Sequence, residues 1–175
     1  MGSPVYKSEQ TYTYGDYLTW DDDERWELIN GHPYNMSPAP LRIHQEILTM
    51  LTSLFYHFFS DKKCKVYVAP FDVRLPRGTE ADEEIDSVVQ PDLSVICDSS
   101  KLDRRDCKGP PDLVVEILSP GSAGRDMKDK LGLYEKHGVK EYWLVYPYEQ
   151  VVEIFTIDTH GKYCFCERFK NNETA

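Results

Sequence analysis

Apolar residues recur along this chain with two periods, and the changes of period mark out its elements. From Leu113 to Leu118 the run Leu-Val-Val-Glu-Ile-Leu is apolar on both faces, which predicts a central strand covered on each side, with one carboxylate, Glu116, inside it. Residues 41–59 instead place Ile43, Ile47, Met50, Leu51, Leu54, Phe55 and Phe58 at helical spacing. That is an amphipathic helix of about five turns, and its apolar stripe needs a sheet to lie on. Strands are announced by CKVYVAP, FDVRLP, VVQPDLSVIC and PDLVVEILS, the second and third separated by an acidic loop over 78–87. Nearer the start, a small helix is expected around Asp16–Trp20, then a hairpin of RWELING and HPYNMS turning at Gly31. A second helix is expected from Ala123 to His137, capped by Ser122 and stopped by Gly138, followed by strands EYWLVYP, VVEIFTID and YCFCERF. Strand, helix, strand around Glu116 and Trp143 predicts a crossover within one sheet. The expected architecture is α/β, a mixed sheet flanked by helices with antiparallel strands at the end, as one domain over 1–175.

Composition changes this picture little. Hydrophobic residues make up 41% of the 175, enough for a core and against disorder. No apolar run approaches the ~20 residues of a membrane helix and no signal peptide opens the chain. Cys64, Cys97, Cys107, Cys164 and Cys166 are odd in number and scattered, so reduced thiols are expected and neither a zinc ribbon nor a disulfide framework. Together these point to a cytoplasmic protein without a membrane partner. The net charge of −10 opposes non-specific binding to nucleic acid, although residues 99–140 gather lysine and arginine and leave room for a locally basic face.

Glu116 sets the chemical question, because a carboxylate taken out of water survives only if paired, protonated or bound to metal. Asp112 is four residues away in the same strand, about 13 Å, too far to share an ion. Asp92 comes from another strand and can lie alongside. On the second helix Met127, Leu131 and Tyr134 form an apolar stripe with Asp126 and Lys130 at its edge, and a lysine there can lay its stem on apolar surface and carry its ammonium to the strand end. Two carboxylates and one lysine suit holding Mg²⁺ and activating water. Each residue also has a plain reading: Asp92 as a turn residue after proline, Glu116 and Lys130 as a structural ion pair, His44 as a packing residue, and Tyr142, Trp143, Tyr146 and Tyr148 as core and edge packing.

The stretches VVQPDLSVI, PDLVVEILSPGS and RDMKDKLGLYEKHGVKEYWLVYP, with ERWELINGHPYNMSPAPLRIHQEI before them, resemble the Uma-type family of restriction endonucleases within the PD-(D/E)XK nuclease superfamily, over residues 10–157. The resemblance implies a Mg²⁺- or Mn²⁺-dependent endonuclease acting on DNA. It makes Pro91-Asp92 the "PD" and Glu116 the "D/E", with Asp92, Glu116 and the Ile117 carbonyl as metal ligands. The superfamily lysine would stand two residues after Glu116, where this chain has Leu118; the family resembled moves it to the helix, here Lys130. Glu27 and His44 match positions that recur in the family and are expected to support the ligands from behind, and Asp126 is expected to position Lys130 or the N-terminus of the helix, where the dipole favours a carboxylate. Nucleases of this fold often work as homodimers, since a cut through both strands by a small chain needs two sites. The alternative is a catalytically silent module of the same fold that binds a protein partner through its acidic surface.

Overall fold

The computed structural model describes residues 10–20, 24–36, 40–119, 124 and 126–170. Two sheets carry it. The first has the order β2-β1-β5-β4-β7, from β1 (Trp26–Ile29), β2 (His32–Asn35), β4 (Val73–Arg74), β5 (Val88–Val89) and β7 (Cys107–Lys108). The second has the order β11-β10-β9-β8-β6-β3, from β3 (Lys65–Val68), β6 (Leu93–Ile96), β8 (Leu113–Ile117), β9 (Glu141–Tyr146), β10 (Val151–Ile157) and β11 (Tyr163–Lys170). A short helix α1 (Tyr14–Tyr17) closes on the Thr13–Asp16 capping box.

The hairpin forms where expected, because Asn30 and Gly31 both take positive φ, +50° and +80°, and so turn the chain in two residues. The continuous strand expected across VVQPDLSVIC is instead two strands in different sheets. Pro91 has no N–H to give a ladder, and the chain changes sheet around it.

β8 sits inside the larger sheet, antiparallel to β6 and parallel to β9, so the crossover expected around Glu116 is present. Its alternation places Val115 and Ile117 in the core under helix α2 (Arg42–Phe59), and Val114 in the core shared with helix α3 (Leu131–His137). Glu116 has the parity of Val114 and faces α3. Gly138, in the left-handed region at φ +78°, ends α3 as expected.

Two helical expectations need correcting. α2 packs on the sheet with Ile47, Leu48, Leu51, Phe55 and Phe59, whereas Met50, Leu54 and Phe58 stand 55%, 59% and 60% exposed. The apolar arc is wider than one sheet contact covers. Before α3, residues Asp126–Lys130 form a π-helical turn, which shifts the phase of the side chains. Met127 is therefore exposed while Lys130, Leu133 and Tyr134 are buried. Ser122, the expected cap, lies outside the described residues.

Cys64 and Cys97 are joined by a disulfide, against the expectation of five reduced thiols. β3 and β6 pair antiparallel with Lys65 opposite Ile96, and one step further sets Cys64 across from Cys97. The cysteine pattern thus carries no argument for a reducing compartment. Among the described residues no helix is long and apolar enough to cross a membrane.

Candidate active site at the end of β8

β8 delivers Glu116 and the π-helical turn delivers Lys130 to one buried point. Lys130 Nζ donates to Glu116 Oε1 at 2.9 Å, and Tyr134 Oη donates to the same oxygen at 2.9 Å. Tyr134 stands four residues after Lys130, so both side chains leave the helical segment on one side. Burial first, and then the neighbouring Glu116 carboxylate, push the Tyr134 phenol well above its ordinary range. It remains a proton donor at any working pH.

Lys130 also lies 2.8 Å from Glu27 Oε1, and the backbone N–H of Gln90 donates to that oxygen at 2.8 Å. Glu27 comes from β1 in the other sheet, so the lysine ties the two sheets together. Lys130, Glu27 and Glu116 are all buried.

Asp92 stands at the start of β6. Continuing the β6–β8 register one step past Leu93–Val115 sets Asp92 across from Glu116. Here the Asp92 side chain extends the ladder, since the Ile117 N–H donates to its Oδ2 at 2.7 Å. His44, buried on the first turn of α2, holds the same Oδ2 from Nε2 at 3.1 Å, while its Nδ1 is buried with no hydrogen-bond partner among the described residues. Both contacts fall on Oδ2, so among the described residues Oδ1 keeps lone pairs to spare. The Asp92 side chain is 19% exposed and its neighbours are buried, so the cluster is reached through Asp92.

The structure thus brings Glu116 to Lys130, sets Asp92 beside Glu116 through the Ile117 backbone, and puts Glu27 and His44 in direct contact with Lys130 and Asp92. Asp126 begins the π-helical turn, but its side chain lies outside the described residues. Sequence reasoning missed two participants. Tyr134 was read only as apolar stripe, although its spacing from Lys130 was a signal. Gln90, directly before the Pro91-Asp92 pair, carried none.

A second ion cluster was invisible in the sequence. Arg74, buried in β4, donates through Nε to Asp106 Oδ1 at 2.6 Å and pairs with Asp82 and Asp103. Tyr14 donates to Asp106 Oδ2 at 3.0 Å.

The crystal structure of "a putative nuclease belonging to DUF820" from Anabaena variabilis ATCC 29413 superposes with a TM-score of 0.70 at 20% identity, covering 93% of this chain and 86% of that one. At that identity the likeness speaks for the fold, which is restriction-endonuclease-like. The uncharacterized protein slr1290 of Synechocystis sp. (strain ATCC 27184 / PCC 6803 / Kazusa) is 25% identical over 132 residues, 74% of this chain; the match spans 65% of that relative's length. The family model Uma2, described as "Putative restriction endonuclease", matches residues 14–175, and the chain belongs to that family.

Proposed function

We propose that this chain is a metal-assisted endonuclease that hydrolyses DNA phosphodiester bonds at the end of β8, with Asp92, Glu116 and Lys130 as its working groups. The observation that carries the reading is the gathering of carboxylates: Glu27 and Glu116 are buried on one ammonium, Lys130, and Asp92, held by His44, stands across from Glu116 with its side chain partly exposed. Carboxylates brought close together repel, and a divalent ion between Asp92 and Glu116 would relieve that repulsion.

The donors fit such an ion in kind. Carboxylate and carbonyl oxygens suit Mg²⁺ or Mn²⁺ better than zinc. Among the described residues no group of three His, Cys, Asp or Glu could cage an ion, so Asp92, Glu116 and the Ile117 carbonyl would share it with water and substrate oxygens, the mixed shell Mg²⁺ prefers. When bound, the ion supplies Lewis acidity to the phosphate and lowers the pKa of a coordinated water. Lys130 and Tyr134 fix the Glu116 carboxylate by bonding one of its oxygens, and the Lys130 ammonium would orient the attacking water or meet charge developing on the phosphate. His44 and the Ile117 N–H fix Asp92 by the same device. A phosphate enters at Asp92, the exposed end. With a chain charge of −10, non-specific binding to DNA should be weak.

That same net charge favours a second reading, the catalytically silent module that binds a protein partner. Incubation of supercoiled plasmid, single-stranded DNA and RNA with the protein in Mg²⁺ or Mn²⁺ separates the two. The nuclease reading expects DNA cleavage that disappears in Glu116→Ala. Intact substrates under every condition would leave the binding module.

A further inference from the structure

A cavity of about 470 Å³ lies between α1, the chain linking β3 to β4 and the end of β5. That is a usual size for a small-molecule site, about 300–1,000 Å³. Its walls include Leu18, Pro70 and Phe71, and its polar groups include Asp72, Gln90 and Arg105. The Phe71 ring is held by the Tyr67 ring stacked on it, 4.4 Å between centroids and 9° between planes, so it offers the cavity a fixed aromatic surface. Asp72 is half-buried, and burial pushes its pKa up against the hydrogen bond from Gln90. Gln90 Nε2 and Tyr17 Oη both donate to Asp72 Oδ1, at 2.9 Å and 3.2 Å, so among the described residues Oδ2 keeps its lone pairs. Gln90 is buried, and its Oε1 accepts from Arg25 Nε and Nη2 at 3.0 Å and 2.6 Å, which fixes the amide that orients Asp72. The cavity adjoins the site at the end of β8. Gln90 is two residues from Asp92, within about 7 Å along an extended chain, and the Ala69 N–H, next to Pro70, donates to the Asp92 carbonyl at 3.2 Å.

We propose that this cavity takes an unpaired guanine of a DNA strand whose adjoining phosphate lies at Asp92. The proposal rests on the nuclease reading and deepens it by adding a base preference beside the cut. Guanine alone among the four bases presents two adjacent donors on one edge, N1–H and N2–H₂, and an oxygen with two lone pairs accepts both. Thymine sets its single N–H between two carbonyl oxygens, which a carboxylate repels. Adenine and cytosine each present one amine beside an acceptor. Any base can lie on the Phe71 ring, so stacking adds affinity and Asp72 makes the choice. Arg105, exposed where it lines the cavity, brings a positive charge to the sugar-phosphate chain. A base inside a duplex does not reach such a recess, so the strand must offer it single-stranded or flipped out.

Calorimetric titration of the full chain in EDTA with deoxyguanosine, deoxyinosine and thymidine monophosphates tests the preference without any cleavage. The guanine nucleotide should bind about tenfold or more tightly than the thymine one, and deoxyinosine, which lacks the 2-amino group, should fall between them. Asp72→Asn, which puts an N–H₂ in place of Oδ2, should remove the preference. Phe71→Leu should weaken every nucleotide by roughly tenfold and keep it. Circular dichroism should be unchanged in both. An oligothymidylate carrying one central deoxyguanosine should bind more tightly than plain oligothymidylate. Absent binding, equal binding of guanine and thymine nucleotides, a preference that survives in a folded Asp72→Asn, or binding of the free nucleotide with no gain in the strand would each overturn the proposal. Plasmid cleavage is read separately. Cutting without guanine binding overturns the base pocket and leaves the nuclease reading, whereas guanine binding without cutting supports the pocket and counts against the nuclease.

Discussion

Two buried cations in this molecule each meet more than one carboxylate, and they differ in how exposed those carboxylates are. Around Arg74, the partners Asp82 and Asp103 are 39% and 47% exposed, so water screens their charge and only Asp106 is fully buried. Around Lys130, Glu27 and Glu116 are both buried and Asp92 stands at the rim. The guanidinium offers a fork of five donors and meets three carboxylates; the ammonium has three donors and is a point charge. The Arg74 cluster is therefore a structural tie joining the 72–108 region to α1. In the Lys130 cluster two carboxylates share one ammonium out of water and a third stands at the exposed end, the arrangement expected of a site.

The titration of the aspartates supports this contrast. At Asp103 the backbone N–H groups of Asp106 and Arg105, with Arg74, outweigh the effect of burial and bring the carboxyl down to about 2. At Asp106 burial prevails over the same guanidinium and its pKa is raised. One cation holds its exposed partner ionised and cannot fully offset the desolvation of its buried one.

The comparison can be broken most forcefully at Arg74. Arg74→Met leaves Asp106 buried without its cation, and denaturant melts should show a loss of about 3–5 kcal/mol that Mn²⁺ does not recover. Lys130→Met comes next. It should reduce DNA cleavage by roughly 10²–10³-fold, and its loss of stability in EDTA should be partly restored by Mn²⁺, because there a second cation can take the lysine's place. If metal rescued both variants, or neither, the two clusters would be alike. Tyr134→Phe removes a hydrogen bond on Glu116 Oε1 and should cost about 1–2 kcal/mol, with a smaller loss of rate than Lys130→Met. The smallest effect is expected at Asp103. Its folded pKa is depressed, so its contribution is fully present above the unfolded value of about 3.9 and is lost as pH falls toward 2. Melts between pH 5 and 2 should fall less steeply in Asp103→Asn than in the wild type.

What the sequence disclosed and what it hid follow from the range over which each feature is determined. The β8 strand, the bounds of α2, the turn at Gly31 and the stop at Gly138 rest on local pattern and backbone freedom, and they read directly. Glu116 could be singled out because a lone carboxylate in an apolar strand contradicts its surroundings. The Lys130–Glu27 contact could not, since it spans two sheets whose relation depends on how the chain turns at Pro91. The Arg74 cluster and the Cys64–Cys97 disulfide are hidden for the same reason, each joining residues that only strand register brings together. The π-helical turn hid the true face of the second helix, because a 3.6-residue period puts Met127 inside and the added residue per turn puts it outside.

The central claim, that the carboxylates beside Lys130 form a cation site, is met most directly by melting wild type and Glu116→Gln in EDTA and in Mn²⁺. Glu116→Gln removes one buried charge and leaves Lys130 its partner Glu27. In EDTA the variant should be as stable as the wild type or about 1 kcal/mol more stable. Mn²⁺ at ten times its dissociation constant should stabilise the wild type by about 1.4 kcal/mol and leave the variant unchanged. A variant that loses about 3 kcal/mol in EDTA, or that responds to Mn²⁺ as the wild type does, would make Glu116 and Lys130 a structural ion pair and contradict the account.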